Sequence, residues 1–486
     1  MSTSSRLRSL GSDTAVYGIS TIIGRFLNFL LVPFYTNVLV PGEYGIVANV
    51  YSWIAFFNVI YGYGMESAYF AYATSGEIGT ERENFSTPLI TLIVSSVLFS
   101  GALLLWSGPV SHVLGVGAGL SMVIPATAGI LLLDTVAVIP FASLRLERRA
   151  KYFGAVKVLN IVVNVAANLV FLLVLHAGVE GIFLSGLLAS GVTILALIPA
   201  MKGKVSLDFS RPLFAALLRF GLPYIPAGLA AMAIQVIDRP IMKALTDDAT
   251  VGVYQANYRL GIFMMLLVSM FDFAWRPFFL THAKDPDAKS LFSRVLTFFV
   301  AGALGVWLTL SLFIGDIVQW SFFGRTLIHR SYWGGLSVVP VVLMGYLFLG
   351  MYNNLVAGIY IEKRTGKLPW ITGVGGGVNI LLNVTLIPVM GMMGAAIATL
   401  AAYAAMAAAM ALTVRTLYPV PYEWAKILKA FLAAGAAYAA TVYFLPDQSS
   451  VFLRALGVPA FALLLWVFGV ITKEESKRIA GFIVPR

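Results

Sequence analysis

Cysteine is absent from the 486 residues. Thiolate metal sites, redox pairs, disulfide staples and a cysteine nucleophile are excluded with it. Charge is nearly as scarce, with Asp, Glu, Lys and Arg making up 11% of the chain, against roughly 25% in a soluble domain. Histidine occurs four times, at His112, His176, His282 and His329. These lie near span ends with no i, i+4 pairing, so no metal site is expected. A Gly-x-x-x-x-Gly-Lys-Ser/Thr loop is missing, and no polar stretch is long enough for a nucleotide-binding domain, which argues against ATP-driven work. No catalytic motif or cofactor fingerprint is found either. Apolar residues fill the space: 59% of the chain is AVILMFWYC and the mean hydropathy is +0.88. A soluble core cannot hide that much apolar surface. At about 35 residues per span and loop, the length suits roughly a dozen or more membrane helices of about 20 residues. The first apolar stretch, after Arg6 and Arg8, is too long for a signal peptide's core and has no small-residue cleavage site, so it reads as the first span.

Hydropathy predicts an all-α polytopic membrane protein with about fourteen spans. They lie near 14–40, 44–74, 85–106, 119–144, 153–176, 178–201, 213–242, 249–282, 293–318, 336–361, 369–390, 391–416, 424–445 and 451–472. The net charge of +11 is not spread evenly. About 23 Lys and Arg fall on the side of the N-terminus, among them Arg148, Arg149, Lys202, Lys363 and Lys477. About four fall opposite: Lys243, Arg325, Arg330 and Arg454. The positive-inside rule then puts both termini in the cytoplasm and explains the basic balance without nucleic acid. One loop departs from the pattern, with Glu77, Glu81 and Glu83 against Arg82.

The chain repeats itself. Asn160-Ile161-Val162-Val163-Asn164 followed by Gly178-Val179-Glu180-Gly181 returns as Asn379-Ile380-Leu381-Leu382-Asn383 followed by Gly391-Met392-Met393-Gly394. Glu147-Arg148-Arg149 corresponds to Glu362-Lys363-Arg364, and Pro33, Gly45 and Tyr51 match Pro240, Gly252 and Tyr258 at a constant offset. Spans 1–6 and 7–12 are therefore expected to be two parallel copies, a plan found in secondary transporters that hold substrate between halves. The expected divisions are 1–201 and 202–417 for the two lobes, 418–472 for an appended helix pair and 473–486 for a cytoplasmic tail. Gly373-Val374-Gly375-Gly376-Gly377 lies inside a span with no strand before it, and reads as close helix packing rather than a phosphate loop.

Ionisable residues inside spans are costly and tend to face a cavity. Arg25 sits about midway along span 1, on a polar stripe with Thr21, Asn28 and Tyr35. It is expected either to bind an anion in a cavity or to pair with a carboxylate. Gln235, Asp238 and Arg239 share one face of span 7, while Gln255, Tyr258 and Arg259 share one of span 8. They read as a substrate cavity or as an Asp238–Arg259 ion pair. Pro223 and Pro226 predict a bend in span 7. Asp272 and Arg276 are spaced to pair on one helix. Lys157 and Arg219 are read as snorkelling to the cytoplasmic face. Glu66 and Asp134 are the candidates for carrying a coupling proton or sodium ion. In-span cations outnumber anions, six to four by our count, which suits an anionic headgroup because guanidinium matches phosphate bidentately.

The opening Ala15-Val16-Tyr17-Gly18 through Gly24-Arg25-Phe26-Leu27-Asn28-Phe29, then Val32-Pro33-Phe34-Tyr35-Thr36 and Gly42-Glu43-Tyr44-Gly45, resembles the first helix and following turn of polysaccharide transporters. These are the Wzx-type O-antigen and capsule flippases of the multidrug/oligosaccharidyl-lipid/polysaccharide (MOP) superfamily. The resemblance implies two six-helix lobes in a V, alternating access, and transfer of an undecaprenyl-pyrophosphate-linked oligosaccharide from the inner to the outer leaflet of a bacterial or archaeal cytoplasmic membrane. It also implies lipid-linked oligosaccharide and membrane lipid as partners, with polysaccharide polymerase and chain-length proteins beside them. Proton or sodium coupling is proposed for the family. On this reading Arg25, Asn28, Arg239 and Arg259 would hold the pyrophosphate, and sugars would stack on Tyr17, Trp53 or Tyr254. Two alternatives stand. A lipid II flippase typically has an Arg-Asp pair where this chain has Leu31-Val32. A cation-coupled multidrug exporter generally has twelve helices, and would depend on Glu66, Asp134 and Asp238.

Overall fold

The computed structural model describes residues 29–117, 119–322, 324–444 and 451–471. Tyr17, Arg25 and Asn28 lie outside the described residues. Helices account for nearly all of the described chain, and the strands within it are the short antiparallel pair Ser321–Phe322 and Arg325–Thr326. Among the described residues, eleven helices are long and apolar enough to cross a membrane. A bent pair makes a twelfth, and two shorter apolar helices stand at the positions of the first and last expected spans. They follow the expected fourteen in order. Numbered along the chain, the first seven are Phe29–Val38, Pro41–Ser75, Glu81–Leu105, Val123–Leu146, Ala150–Val174, Gly178–Met201, and Arg211–Gly221 with Tyr224–Val236. The remaining seven are Ile262–His282, Ala288–Gln319, Arg330–Ile361, Thr365–Met390, Met392–Leu417, Trp424–Phe444 and Val451–Val467.

Three breaks shape these spans. Span 7 bends by 41° where Leu222 and Pro223 interrupt it, as its prolines predict. Span 2 breaks at Tyr63 and Gly64, both at positive φ. The expected single helix over 249–282 is two, Asp248–Arg259 and Ile262–His282, with Leu260 and Gly261 turning between them. The acidic loop that broke the charge pattern is explained by capping. Thr80 Oγ1 accepts from the Glu83 amide at 3.2 Å, and Glu83 returns a carboxylate to the Thr80 amide at 2.7 Å. That closes two orphan donors at the start of span 3, where the helix dipole also favours acid.

Large apolar side chains point outward along the spans, among them Leu98, Leu105 and Leu195. Water would make such a surface an aggregation hazard, and hydrocarbon makes it the solvent-facing one. Exposed tryptophans mark span ends: Trp106 after span 3, Trp320 after span 9, and Trp370 and Trp424 at the starts of spans 11 and 13. Indole rings prefer this interfacial level.

The residues group into two compact units. One runs to Ala256 and includes Asn383–Met392, and the other takes Asn257–Leu382 and the chain from Met393. In the first unit span 4 is central, packed against spans 2, 3, 5 and 6. Leu89, Leu92, Ile139, Leu213 and Leu217 form part of its core. In the second, span 9 is the pillar on which spans 8, 10, 13 and 14 pack. The appended pair is tied to it by Thr297 donating to Glu423 at 2.9 Å and by Arg454 reaching Asp316 at 2.8 Å. The Trp307 and Tyr438 rings lie 5.3 Å apart at the same seam.

The internal repeat is visible in the backbone. Arg148 and Lys363 occupy equivalent places and both adopt the left-handed region, at φ 56 and φ 54. The residues after them close the same turn: Arg149 N to Leu144 O and Arg364 N to Ile359 O are both 2.9 Å. Gly178 and Gly391 pair likewise, at φ 51 and φ 55. Gly45 and Gly252 go further. A Cβ on Gly45 would overlap the Asp248 carbonyl, and one on Gly252 would overlap the Pro41 carbonyl. Two repeat-related helix starts therefore cross backbone to backbone, each glycine against the other helix's first residues.

Candidate functional site

Within the first unit, spans 2, 4, 5 and 6 line a cavity of about 570 Å³. Each helix contributes one face, which is why the lining residues recur at helical intervals. Span 4 supplies Asp134, Val138, Phe141 and Arg145, and span 5 supplies Lys157, Asn160 and Asn164. Gly186, Ala189, Ser190 and Thr193 come from span 6, facing Tyr51, Asn58, Gly62 and Glu66 of span 2. The small residues of span 6 leave the room, and the polar ones fill the walls.

The polar walls are held in place by bonds to one another. Ser190 donates to Asp134 Oδ1 at 2.7 Å, and Asn160 Nδ2 donates to Thr193 Oγ1 at 2.8 Å. Asn164 is braced by Asn168, whose own Oδ1 accepts from the Tyr35 hydroxyl at 3.0 Å. Tyr51 stacks on Phe183 with centroids 5.2 Å apart. Glu66 and Arg145 form an ion pair, each partly exposed. The Arg145 guanidinium also lies 4.9 Å from the Phe70 ring centre. Lys157 holds its ammonium 4.1 Å from the Phe141 centroid, within electrostatic reach of Asp134. Asp134 is exposed, and the surface it exposes is cavity wall. Two cations and two carboxylates thus share one chamber. Among the described residues, no group of three or more His, Asp or Glu is placed to hold a metal ion.

A second charged cluster is closed. Asp238 and Arg239 are buried, 1% and 4% exposed. Arg239 Nη1 donates to Asp238 Oδ1 at 2.5 Å and to the Gln235 carbonyl at 2.7 Å, while its Nε donates to Gln255 at 3.0 Å. The Tyr254 hydroxyl donates to Asp238 Oδ2 at 2.6 Å, and its ring lies 5.4 Å from the guanidinium carbon. Every strong group here answers another, which is the condition for keeping charge away from water.

The sequence matches the polysaccharide biosynthesis protein family over residues 36–315. The chain belongs to that family. No curated protein matches it. Among solved structures it is similar to the lipid II flippase MurJ in an inward closed conformation, at 15% identity over 94% of this chain and 98% of that one, with a TM-score of 0.71. A multidrug resistance MATE family transporter of the MOP superfamily, inward-facing, matches at 15% identity over 81% and 94%, with a TM-score of 0.64. A mutant of the Vibrio cholerae MATE transporter VcmN matches at 14% identity over 84% and 97%, at 0.58. These likenesses show the fold that the chain adopts, a multi-pass helix bundle shared with those transporters.

Several expected site residues fall differently within this fold. The pair expected between Asp238 and Arg259 is made by Asp238 and Arg239, adjacent in sequence, because Gln235 and Gln255 complete the guanidinium's bonds. Arg259 is exposed. Tyr254 is buried beneath Arg239 and has no open face for a sugar. Lys157 lines the cavity, with the Phe141 ring beneath its ammonium and Asp134 nearby. Glu66 and Asp134 do line one chamber, 68 residues apart in sequence. Arg276 pairs with Asp272 at 3.1 Å, as their spacing predicts. Tyr51, Asn58, Arg145 and Ser190 join the site only in the folded chain. Their signal was present in part, since Asn160 and Asn164 belong to the repeated motif and lie on the same helix face as Lys157.

Proposed function

We propose that this polysaccharide biosynthesis protein is a flippase that carries an undecaprenyl-pyrophosphate-linked oligosaccharide from the cytoplasmic to the outer leaflet by alternating access, for surface polysaccharide assembly. The observation that carries the reading is the family match over most of spans 1–9, joined to a polar chamber inside an otherwise lipid-facing bundle. A chain that only anchored other proteins would have no use for four ionisable side chains lining a cavity within its spans, given what their desolvation costs. The basic loops favour both termini in the cytoplasm and the chain in the cytoplasmic membrane. Membrane lipid and lipid-linked oligosaccharide are its partners on this reading, with polymerase and chain-length proteins acting downstream.

Two repeat-related lobes, spans 1–6 and 7–12, would alternate, with the crossing at Gly45 and Gly252 as one of their contacts. The diphosphate would be taken by Arg25 with Asn28 and by the exposed Arg259, since Arg239 is engaged. Glu66 and Asp134 are the carboxylates open to a coupling proton or sodium ion. Asp238, bound on both oxygens, is not.

Proteoliposomes containing lipid-linked oligosaccharides extracted from the cells of origin test this. Wild-type protein is expected to transfer them across the bilayer, with Arg25→Ala and Arg259→Ala slowed at unchanged folding. Gradient-driven export of organic cations without lipid transfer would replace the reading with multidrug export.

A further inference from the structure

The chamber in the first unit has a composition that selects its occupant. Its four ionisable side chains are matched acid to base: Glu66 is paired with Arg145, and Asp134 lies near Lys157. A diphosphate would find no surplus of positive charge there, and an organic cation no surplus of carboxylate. What the walls offer instead is a dense set of neutral and paired donors and acceptors. Asn58, Asn160 and Asn164 present amides, Tyr51 and Ser190 hydroxyls, and Phe153 a half-buried ring. A polyol with axial and equatorial hydroxyls and apolar C–H faces answers all three at once. The volume of about 570 Å³ falls within the roughly 300–1,000 Å³ of small-molecule pockets, with room for a short run of sugar residues.

We infer that this chamber, lined by spans 2, 4, 5 and 6 of one unit, is the glycan subsite, and that it reads neutral sugar while the diphosphate is held elsewhere. The inference rests on the flippase reading and adds where the sugars go. The Glu66–Arg145 pair stands toward the Leu146 end of span 4, where a carboxylate and a guanidinium can each bridge vicinal hydroxyls. Asp134, Ser190 and Tyr51 line the chamber farther from that pair, with the carboxylate oriented by the Ser190 hydroxyl. Asn160 and Asn164, one turn apart on span 5, present their amides along the chamber.

The absence of native cysteine makes the test direct. Asn58→Cys and Asn164→Cys place single thiols on opposite walls, and Leu207→Cys, in a loop and 95% exposed, serves as the control. Full-length protein in nanodiscs is labelled with a water-soluble maleimide in the presence of the extracted lipid-linked oligosaccharides or of bare undecaprenyl diphosphate. At ten times Kd, mass action leaves about one site in eleven empty, so labelling of both chamber thiols is expected to slow roughly tenfold with the glycan-bearing lipid. Bare diphosphate is expected to leave them unprotected, and Leu207→Cys to be unaffected by either. Asp134→Asn gives the chamber a net positive charge, and in that background bare diphosphate is expected to begin protecting the thiols.

Equal protection by bare carrier in the wild-type background would make the chamber a diphosphate site and overturn the inference. Absence of protection in protein that still flips the glycan lipid would also overturn it, leaving the flippase reading intact. Absence of both, with protection by tetraphenylphosphonium, would remove the two together.

Discussion

Removing the Asp238 carboxylate distinguishes a structural ion pair from a ligand site. In the native arrangement Asp238 accepts from Arg239 at 2.5 Å and from Tyr254 at 2.6 Å, with both charged residues almost wholly buried. Asp238→Ala leaves the guanidinium with Gln255 and the Gln235 carbonyl, which are neutral. Breaking one side of a buried pair costs about 3–5 kcal/mol. At roughly 2–4 °C per kcal/mol for a unit of this size, the melting midpoint falls by about 6–20 °C. Tyr254→Phe removes one hydrogen bond to a charged acceptor and should cost less, about 1.5–3 kcal/mol. The double change Asp238→Asn with Arg239→Gln keeps the shape, discards both charges, and should recover most of the loss. Thermal unfolding of purified protein in detergent, followed by tryptophan emission or size-exclusion elution, reads all three. The reasoning fails if Asp238→Ala melts with the wild type while Arg239→Gln abolishes lipid transfer at full stability, because that is how a headgroup ligand behaves.

Three further outcomes are expected. Gly45→Ala or Gly252→Ala drives a methyl into a backbone carbonyl, so the crossing must part, and a thiol at Gly42→Cys should become more reactive toward maleimide in either background than in the native one. Glu66→Gln leaves a partly exposed pair broken, which should change stability by less than about 1 kcal/mol while slowing lipid transfer measurably, as a proteoliposome rate would show. Arg454→Ala frees Asp316 and the Leu312 carbonyl; limited proteolysis should then cut the loop between spans 13 and 14 faster while the spans before span 13 stay protected.

The span count was legible because hydropathy needs only composition along the chain, and each apolar run is long compared with its loops. Breaks were legible where proline announces them, as at Pro223. They were invisible at Gly64 and at Leu260–Gly261, where one glycine in an apolar run has many readings and packing chooses among them. The repeat was legible as sequence, yet its meaning at Gly45 and Gly252 required seeing which backbone each glycine meets. For the site, depth along a helix was read more readily than direction around it. The position of Lys157 near a span end suggests snorkelling. Its azimuth, shared with Asn160 and Asn164, was the better guide to where its charge goes. Nothing in the sequence neighbourhood of Arg145 reveals that Glu66 faces it from another helix. Arg239 shows the opposite case, where the partner is the preceding residue and the sequence offered a more distant one.

The charge count itself takes on a different sense once the partners are known. The in-span surplus of arginine suggested a cationic cavity for an anionic headgroup. Arg239 and Arg276 are answered by carboxylates on their own helices, and Lys157 lies near Asp134, so three of the six cations contribute little net field. The large polar chamber that remains is balanced, and balance is what a neutral, hydroxyl-rich ligand requires: each ion pair supplies both a donor and an acceptor without attracting counter-ions that would have to be displaced. A diphosphate needs the reverse, an unbalanced guanidinium, and Arg259 is exposed to provide one. If the two ends of a lipid-linked oligosaccharide are read by groups of such different electrostatics, ionic strength should separate them. Raising salt weakens the long-range attraction for the diphosphate and leaves a short-range sugar match in a balanced chamber nearly unchanged, so discrimination between glycans should persist at salt concentrations where overall affinity has already fallen.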